Sequence, residues 1–106
     1  MEYGLSDIEL KKITNALNSF TSIHEAIIYG SRAKGNFKPS SDIDLTLKGD
    51  GIDLKEFTNI VLKLDDLLLP YKFDVSVYSH ITNPELIEHI GRVGQIFYKA
   101  SDHKVH

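Results

Sequence analysis

Apolar residues recur three or four positions apart at Leu10, Ile13, Leu17 and Phe20, with Lys11, Lys12 and Asn15 between them. That period puts the apolar set on one stripe and predicts an amphipathic helix near the start of the chain. Ser6 and Glu9 precede the stripe in the Ser-x-x-Glu arrangement of a capping box, in which each side chain satisfies the other residue's backbone N–H. The pattern then changes. Ala26-Ile27-Ile28-Tyr29 is a short apolar run stopped by Gly30, which predicts a buried strand over Ile23 to Tyr29. From Asp42 to Leu47 acidic or polar residues alternate with apolar ones and stop at Gly49-Asp50-Gly51, a second strand and its turn. The helical period returns at Leu54, Phe57, Ile60, Val61, Leu64 and Leu68 and predicts a long helix from Leu54 to Leu69, stopped by Pro70. Lys72 to Tyr78 alternates again as a third strand. Asn83-Pro84 supplies an N-cap and a first-turn proline for a helix carrying Leu86, Ile87 and Ile90, which Gly94 ends; Gln95 to Tyr98 adds a short edge strand.

This order predicts an α/β (α+β) chain with a mixed three- to four-stranded sheet flanked by helices. Only twelve residues separate Gly30 from Ile43, so the first two strands are expected to be antiparallel neighbours. The link to the third strand contains a whole helix, the crossover that parallel neighbours require. The end of strand one and the starts of strands two and three then share one edge of the sheet. Gly30-Ser31, Asp42/Asp44 and Asp74 converge there.

Composition narrows the class of function. The 106 residues, 42% hydrophobic and 25% charged, suit one globular domain over 1–106, with no repeat, linker or low-complexity tract. The absence of cysteine excludes thiolate metal sites and fits a reducing compartment. The acidic start MEYGLSDIEL is no secretory signal and no apolar run is long enough to span a bilayer, so a cytoplasmic protein without membrane association is expected. A net charge of −3 argues against direct nucleic-acid binding. Ala26 to Ser41 nevertheless contains Arg32, Lys34 and Lys38 and no acid. A basic loop leading into clustered aspartates suits a metal-bound polyphosphate better than a duplex; alone, it would read as a solvated loop.

Asp42 and Asp44 stand two apart on a strand, so their side chains leave one face. Neighbouring carboxylates repel unless a cation neutralises them, and oxygen-only donors favour a hard ion, magnesium or manganese (Mg2+ or Mn2+). Asp74 sits between Phe73 and Val75, an unusual place for an acid without a task or a partner. With a third carboxylate, two metals about 3.5–4 Å apart become feasible, the arrangement of in-line phosphoryl or nucleotidyl transfer. Gly30 lets a phosphate approach the backbone, and Ser31 offers a hydroxyl and an N–H at a helix start. Arg32 and Lys34 add charge opposite the phosphates, and Arg32 is counted with Gly30 and Ser31 as nucleotide-binding.

Competing readings fail on detail. Gly30 to Gly35 has P-loop spacing, but Asn36 stands where the lysine belongs. Asp42-Ile43-Asp44-Leu45-Thr46 fits the phrase of aspartate-nucleophile phosphatases, but there the apolar strand precedes the acids, and here it follows them. His24, His80, His89, His103 and His106 show no zinc-helix spacing and read as surface or loop residues. Tyr29 and Tyr78 read as core or rim, and Asp65-Asp66 as a solvated helix face. Leu67-Leu68-Leu69 exceeds what one helix face needs, which sets core packing against an exposed apolar edge used by a partner.

Gly30-Ser31, ten residues, Asp42-x-Asp44 and the later Asp74 together resemble the DNA polymerase β-like nucleotidyltransferase superfamily, and GSRAKGNFKPSSDIDL is similar to its minimal, MntA-type members. The resemblance covers essentially the whole chain. It implies a palm-like fold, Mg2+ (or Mn2+) and a nucleoside triphosphate, ATP, as substrate. It implies that Gly30 and Ser31 hold the triphosphate, that Asp42 and Asp44 ligate metal, and that Asp74 completes a catalytic triad of acids. It further implies a helical HEPN-type toxin as partner, neutralised by transfer of AMP to a hydroxyl, with homo- or hetero-oligomers both open. The alternative is a non-catalytic antitoxin that caps its partner, its site vestigial or only nucleotide-binding.

Overall fold

The computed structural model describes residues 2–100 of the chain; His103 and His106 lie outside the described residues. Ser6 caps the first helix, α1 (Asp7–Asn18), and both halves of the capping box form: Ser6 Oγ accepts from the Glu9 N–H, and the Ser6 N–H donates to Glu9 Oε1. Then follow β1 (Ile23–Tyr29), a short helix α2 (Gly30–Lys34), β2 (Ile43–Gly49), α3 (Leu54–Asp65) and β3 (Phe73–Val77). A turn of 3-10 helix at Tyr78–His80, α4 (Pro84–Val93) and β4 (Gln95–Lys99) complete the order.

The sheet has four strands in the order β3-β2-β1-β4. As the connection lengths predict, β1 and β2 are antiparallel and β2 and β3 parallel; β4 closes the other edge antiparallel to β1. One face carries Ile28, Leu45 and Leu47, which are fully buried with Ile13 and Leu17 of α1 and Ile60 and Leu64 of α3. Burying these side chains is the main driving force for closing the two helices on the sheet, at about 1.5–3 kcal/mol each. On the opposite face α4 packs against β1: His89 lies edge-on against Tyr29, and a Cβ at Gly94 would meet Ile27.

Two expectations about local structure need correction. The helix expected to run from Leu54 to Leu69 ends at Asp65. The Leu67 and Leu68 N–H groups bond to the Leu64 and Asp65 carbonyls, tightening the last turn, and Leu68 takes a positive φ of 56°. The leucine run therefore splits. Leu67 and Leu69 pack against the core, whereas Leu68 is 88% exposed. His89, expected at the surface or in a loop, is half-buried on α4 against the Tyr29 ring.

Candidate active site

The sheet register brings the acids together. Tyr29, the last residue of β1, lies opposite Asp44, and Asp44 lies beside Asp74 on the parallel neighbour. Asp42 precedes β2 by one position and adds its charge to Asp44 from the same side. Asp42 and Asp74 are exposed and Asp44 is half-buried, so the acids form an open rim at one end of the sheet. Burial pushes the Asp44 carboxyl up to about 6, and the charges of Asp74 and then Asp42 push in the same direction, against the pull of Arg32. Burial likewise raises the Tyr29 phenol, and the charges of Asp44 and Asp74 add to it.

Gly30 meets this rim from the other side. Its φ is 73°, a conformation that disfavours any side chain, and a Cβ built there would overlap the Asp44 carboxylate. The backbone of α2 thus starts directly against the central acid, with Ser31 half-buried beside it. Behind the acids on the same face, fully buried Thr46 accepts a hydrogen bond from Ser76 Oγ at 2.9 Å. In the sequence this pair shows only as polar residues two positions beyond each acid, and the register repeats Asp44↔Asp74 at Thr46↔Ser76.

Arg32 is elsewhere than expected. It is 2% exposed, and its guanidinium makes four hydrogen bonds to main-chain carbonyls: Nε and one terminal nitrogen to Ser41, that nitrogen also to Pro39, and the other to Tyr3. The aromatic rings of Phe37 and Tyr71 lie 5.3 and 4.8 Å from it. A guanidinium so enclosed has its donors turned to the protein's own backbone instead of to a phosphate. Lys34 is exposed and remains accessible.

The donor set suits a hard divalent cation: three carboxylates, no thiolate, and one acid whose charge is disfavoured until something positive neutralises it. No three acidic or histidine side chains close into a ready-made ligand cage among the described residues. A separate cavity of about 290 Å3, lined by Ile52, Leu54, Phe57, Val77 and His80, lies past the other ends of β2 and β3 and includes none of these acids.

A family model described as polymerase beta, nucleotidyltransferase, matches residues 11–103. A search of curated proteins by sequence finds no match. Among solved structures, the chain is similar to one in a toxin–antitoxin complex with AMP-PNP, at 18% identity and a TM-score of 0.69, over 90% of this chain and 76% of that one. It is also similar to a chain in the complex of a tri-AMPylated HEPN toxin from Shewanella oneidensis with its MNT antitoxin. There the identity is 15% and the TM-score 0.66, over 94% of this chain and 76% of that one. A chain of a toxin–antitoxin pair named MntA-HpeT superposes with a TM-score of 0.67 at 14% identity, over 90% and 75% of the two chains. At these identities the likeness shows a shared fold. The mixed sheet and its flanking helices are those of nucleotidyltransferase-fold proteins.

Proposed function

The chain belongs to the polymerase β nucleotidyltransferase family, and from that premise we propose that it transfers a nucleoside monophosphate, AMP from ATP, to a hydroxyl on a helical HEPN-type toxin and so serves as its antitoxin. The observation that carries this reading is the placement of Asp44: beside Asp74 in register, next to Asp42, and in contact range of the Gly30 backbone. Asp42 and Asp44 would hold a magnesium or manganese ion, which when bound would neutralise phosphate charge and lower the pKa of an oxygen it binds. Gly30 would give the triphosphate close approach to the main chain, and the Ser31 hydroxyl would donate to it. Asp74, on the edge strand β3, would accept the proton of an incoming hydroxyl as that oxygen attacks the α-phosphorus and pyrophosphate leaves. The toxin as acceptor rests on the fold shared with chains of toxin–antitoxin complexes, one containing AMP-PNP and one an AMPylated toxin.

The test is pyrophosphate release, with mass spectrometry of the cognate toxin after incubation with ATP and Mg2+. An added AMP on the toxin, lost with Asp44→Asn, is the expected result. If a chain lacking all three acids still silenced the toxin fully, capping without catalysis would replace this reading.

A further inference from the structure

Arg32 ties together three segments, its own among them, that the sequence keeps apart. Tyr3 lies ahead of α1, Pro39 and Ser41 lie in the loop that enters β2, and Arg32 itself stands two residues beyond Gly30 in α2. Ser41, which takes two of the four bonds, is the residue immediately before Asp42. Among the described residues, the other hydrogen bonds of the Lys38–Ser41 turn are local: the Lys38 N–H on Ser41 Oγ and the Ser41 N–H on the Lys38 carbonyl. The guanidinium is thus the tie between the helix that starts at Gly30-Ser31 and the backbone that presents Asp42.

The tie is itself held. Tyr71, whose ring covers the guanidinium, donates its hydroxyl to Glu9, and Glu9 is locked by the α1 capping box. Tyr3, which receives another of the bonds, has a positive φ of 56°, and a Cβ on the next residue, Gly4, would overlap Phe37 and Arg32. A planar fork satisfies several acceptors at fixed angles; a lysine ammonium in the same place is a single point of charge.

We propose that Arg32 is a positioning residue for the transferase reaction, fixing the distance between the Gly30-Ser31 turn and the Asp42/Asp44 carboxylates. This rests on the transferase reading above. It acts through the Ser41 carbonyl and touches neither nucleotide nor metal.

The experiment compares wild type, Arg32→Lys and Phe37→Leu. The last removes one aromatic cover and keeps the charge, so that a folded variant is in hand if Arg32→Lys does not fold. Circular dichroism checks folding, Mn2+ binding in the presence of ATP is followed by electron paramagnetic resonance, and amide hydrogen exchange is read at Asp42 and Ile43. The expected result for folded variants is Mn2+ affinity weaker by about tenfold or more, as for other residues that orient metal ligands. Exchange should quicken at Asp42 and Ile43 but not in β4. A residue that merely stabilised the fold would lower the melting temperature and leave the Mn2+ affinity of the folded protein unchanged, which would overturn the inference. Wild-type protein that bound no Mn2+ with ATP would instead overturn the transferase reading and the inference with it.

Discussion

The Asp44 carboxylate occupies the space that a side chain at Gly30 would need, and the backbone there has a φ of 73°. Strain and collision therefore coincide at one residue. Gly30→Ala is expected to cost about 1–3 kcal/mol of stability from the backbone conformation alone. It should also displace Asp44 and abolish binding of ATP with Mg2+. Gly35 separates the two effects, because its φ is 90° but a Cβ there meets nothing within 4 Å. Gly35→Ala should lose stability, by about 1–2 kcal/mol, and keep binding. Calorimetric titration of MgATP on both variants reads the difference; a Gly30→Ala chain that binds like wild type would remove the close approach from the site.

Asp44 also gives the fold a pH dependence. Its carboxyl ordinarily titrates at 3.8 and is raised to about 6, so between those values the folded chain keeps a proton that the unfolded chain has released. Stability from this group is therefore highest at low pH, falls as pH rises from 3.8 through 6, and stays low above. Asp44→Asn should match wild type near the bottom of that window and exceed it at pH 8 by about 1 kcal/mol, once solvent screening of a half-exposed group is allowed for. Adding Mg2+ at pH 8 should shrink the gap by stabilising the wild type alone. Urea denaturation of the two chains at both pH values, with and without Mg2+, measures it. Equal stability throughout would mean that the three acids do not strain the metal-free fold.

Much of this site was legible in the sequence because it depends on connection length. Twelve residues between Gly30 and Ile43 favour an antiparallel return, and a helix between β2 and β3 favours a parallel pair, so the shared sheet edge follows from chain connectivity; the register Tyr29↔Asp44↔Asp74 is what the structure adds. The place of Arg32 was not legible. Its partners are carbonyls, which every residue has, at positions 3, 39 and 41, and no residue type marks them. A basic residue in an acid-free loop looks the same whether it faces a phosphate or its own backbone. The end of α3 was hidden for another reason: three leucines continue the apolar pattern past Asp65, where the bonding tightens to the third residue back and Leu68 takes a positive φ.

The Ser76–Thr46 bond lies directly behind the acids, and its acceptor is fully buried. Thr46→Val keeps the shape and leaves the Ser76 hydroxyl without this partner, at an expected loss of about 1 kcal/mol. Removing both hydroxyls, as Thr46→Val with Ser76→Ala, should recover part of that loss, because no stranded donor remains. Urea denaturation of the single and double variants gives the coupling energy. A double variant whose loss is the plain sum of the single losses would show that the two hydroxyls do not depend on each other.

Leu68 combines a positive φ of 56° with 88% exposure. A leucine in that conformation carries backbone strain of about 1–2 kcal/mol, and its exposed side chain regains little through burial. Glycine removes the strain but makes the unfolded chain more flexible, which offsets about 0.4–1 kcal/mol. The balance favours glycine: Leu68→Gly should raise stability by about 0.5 kcal/mol. Leu68→Ala, which keeps the strained backbone and removes an already exposed side chain, should change little. Urea midpoints at constant slope distinguish the two. If Leu68→Gly lowered the midpoint while Leu68→Ala did not, the left-handed turn would not be what ends α3. If both lowered it equally, the Leu68 side chain would be making contacts that its exposure in the isolated chain does not show, as the exposed apolar edge of a self-associating protein would.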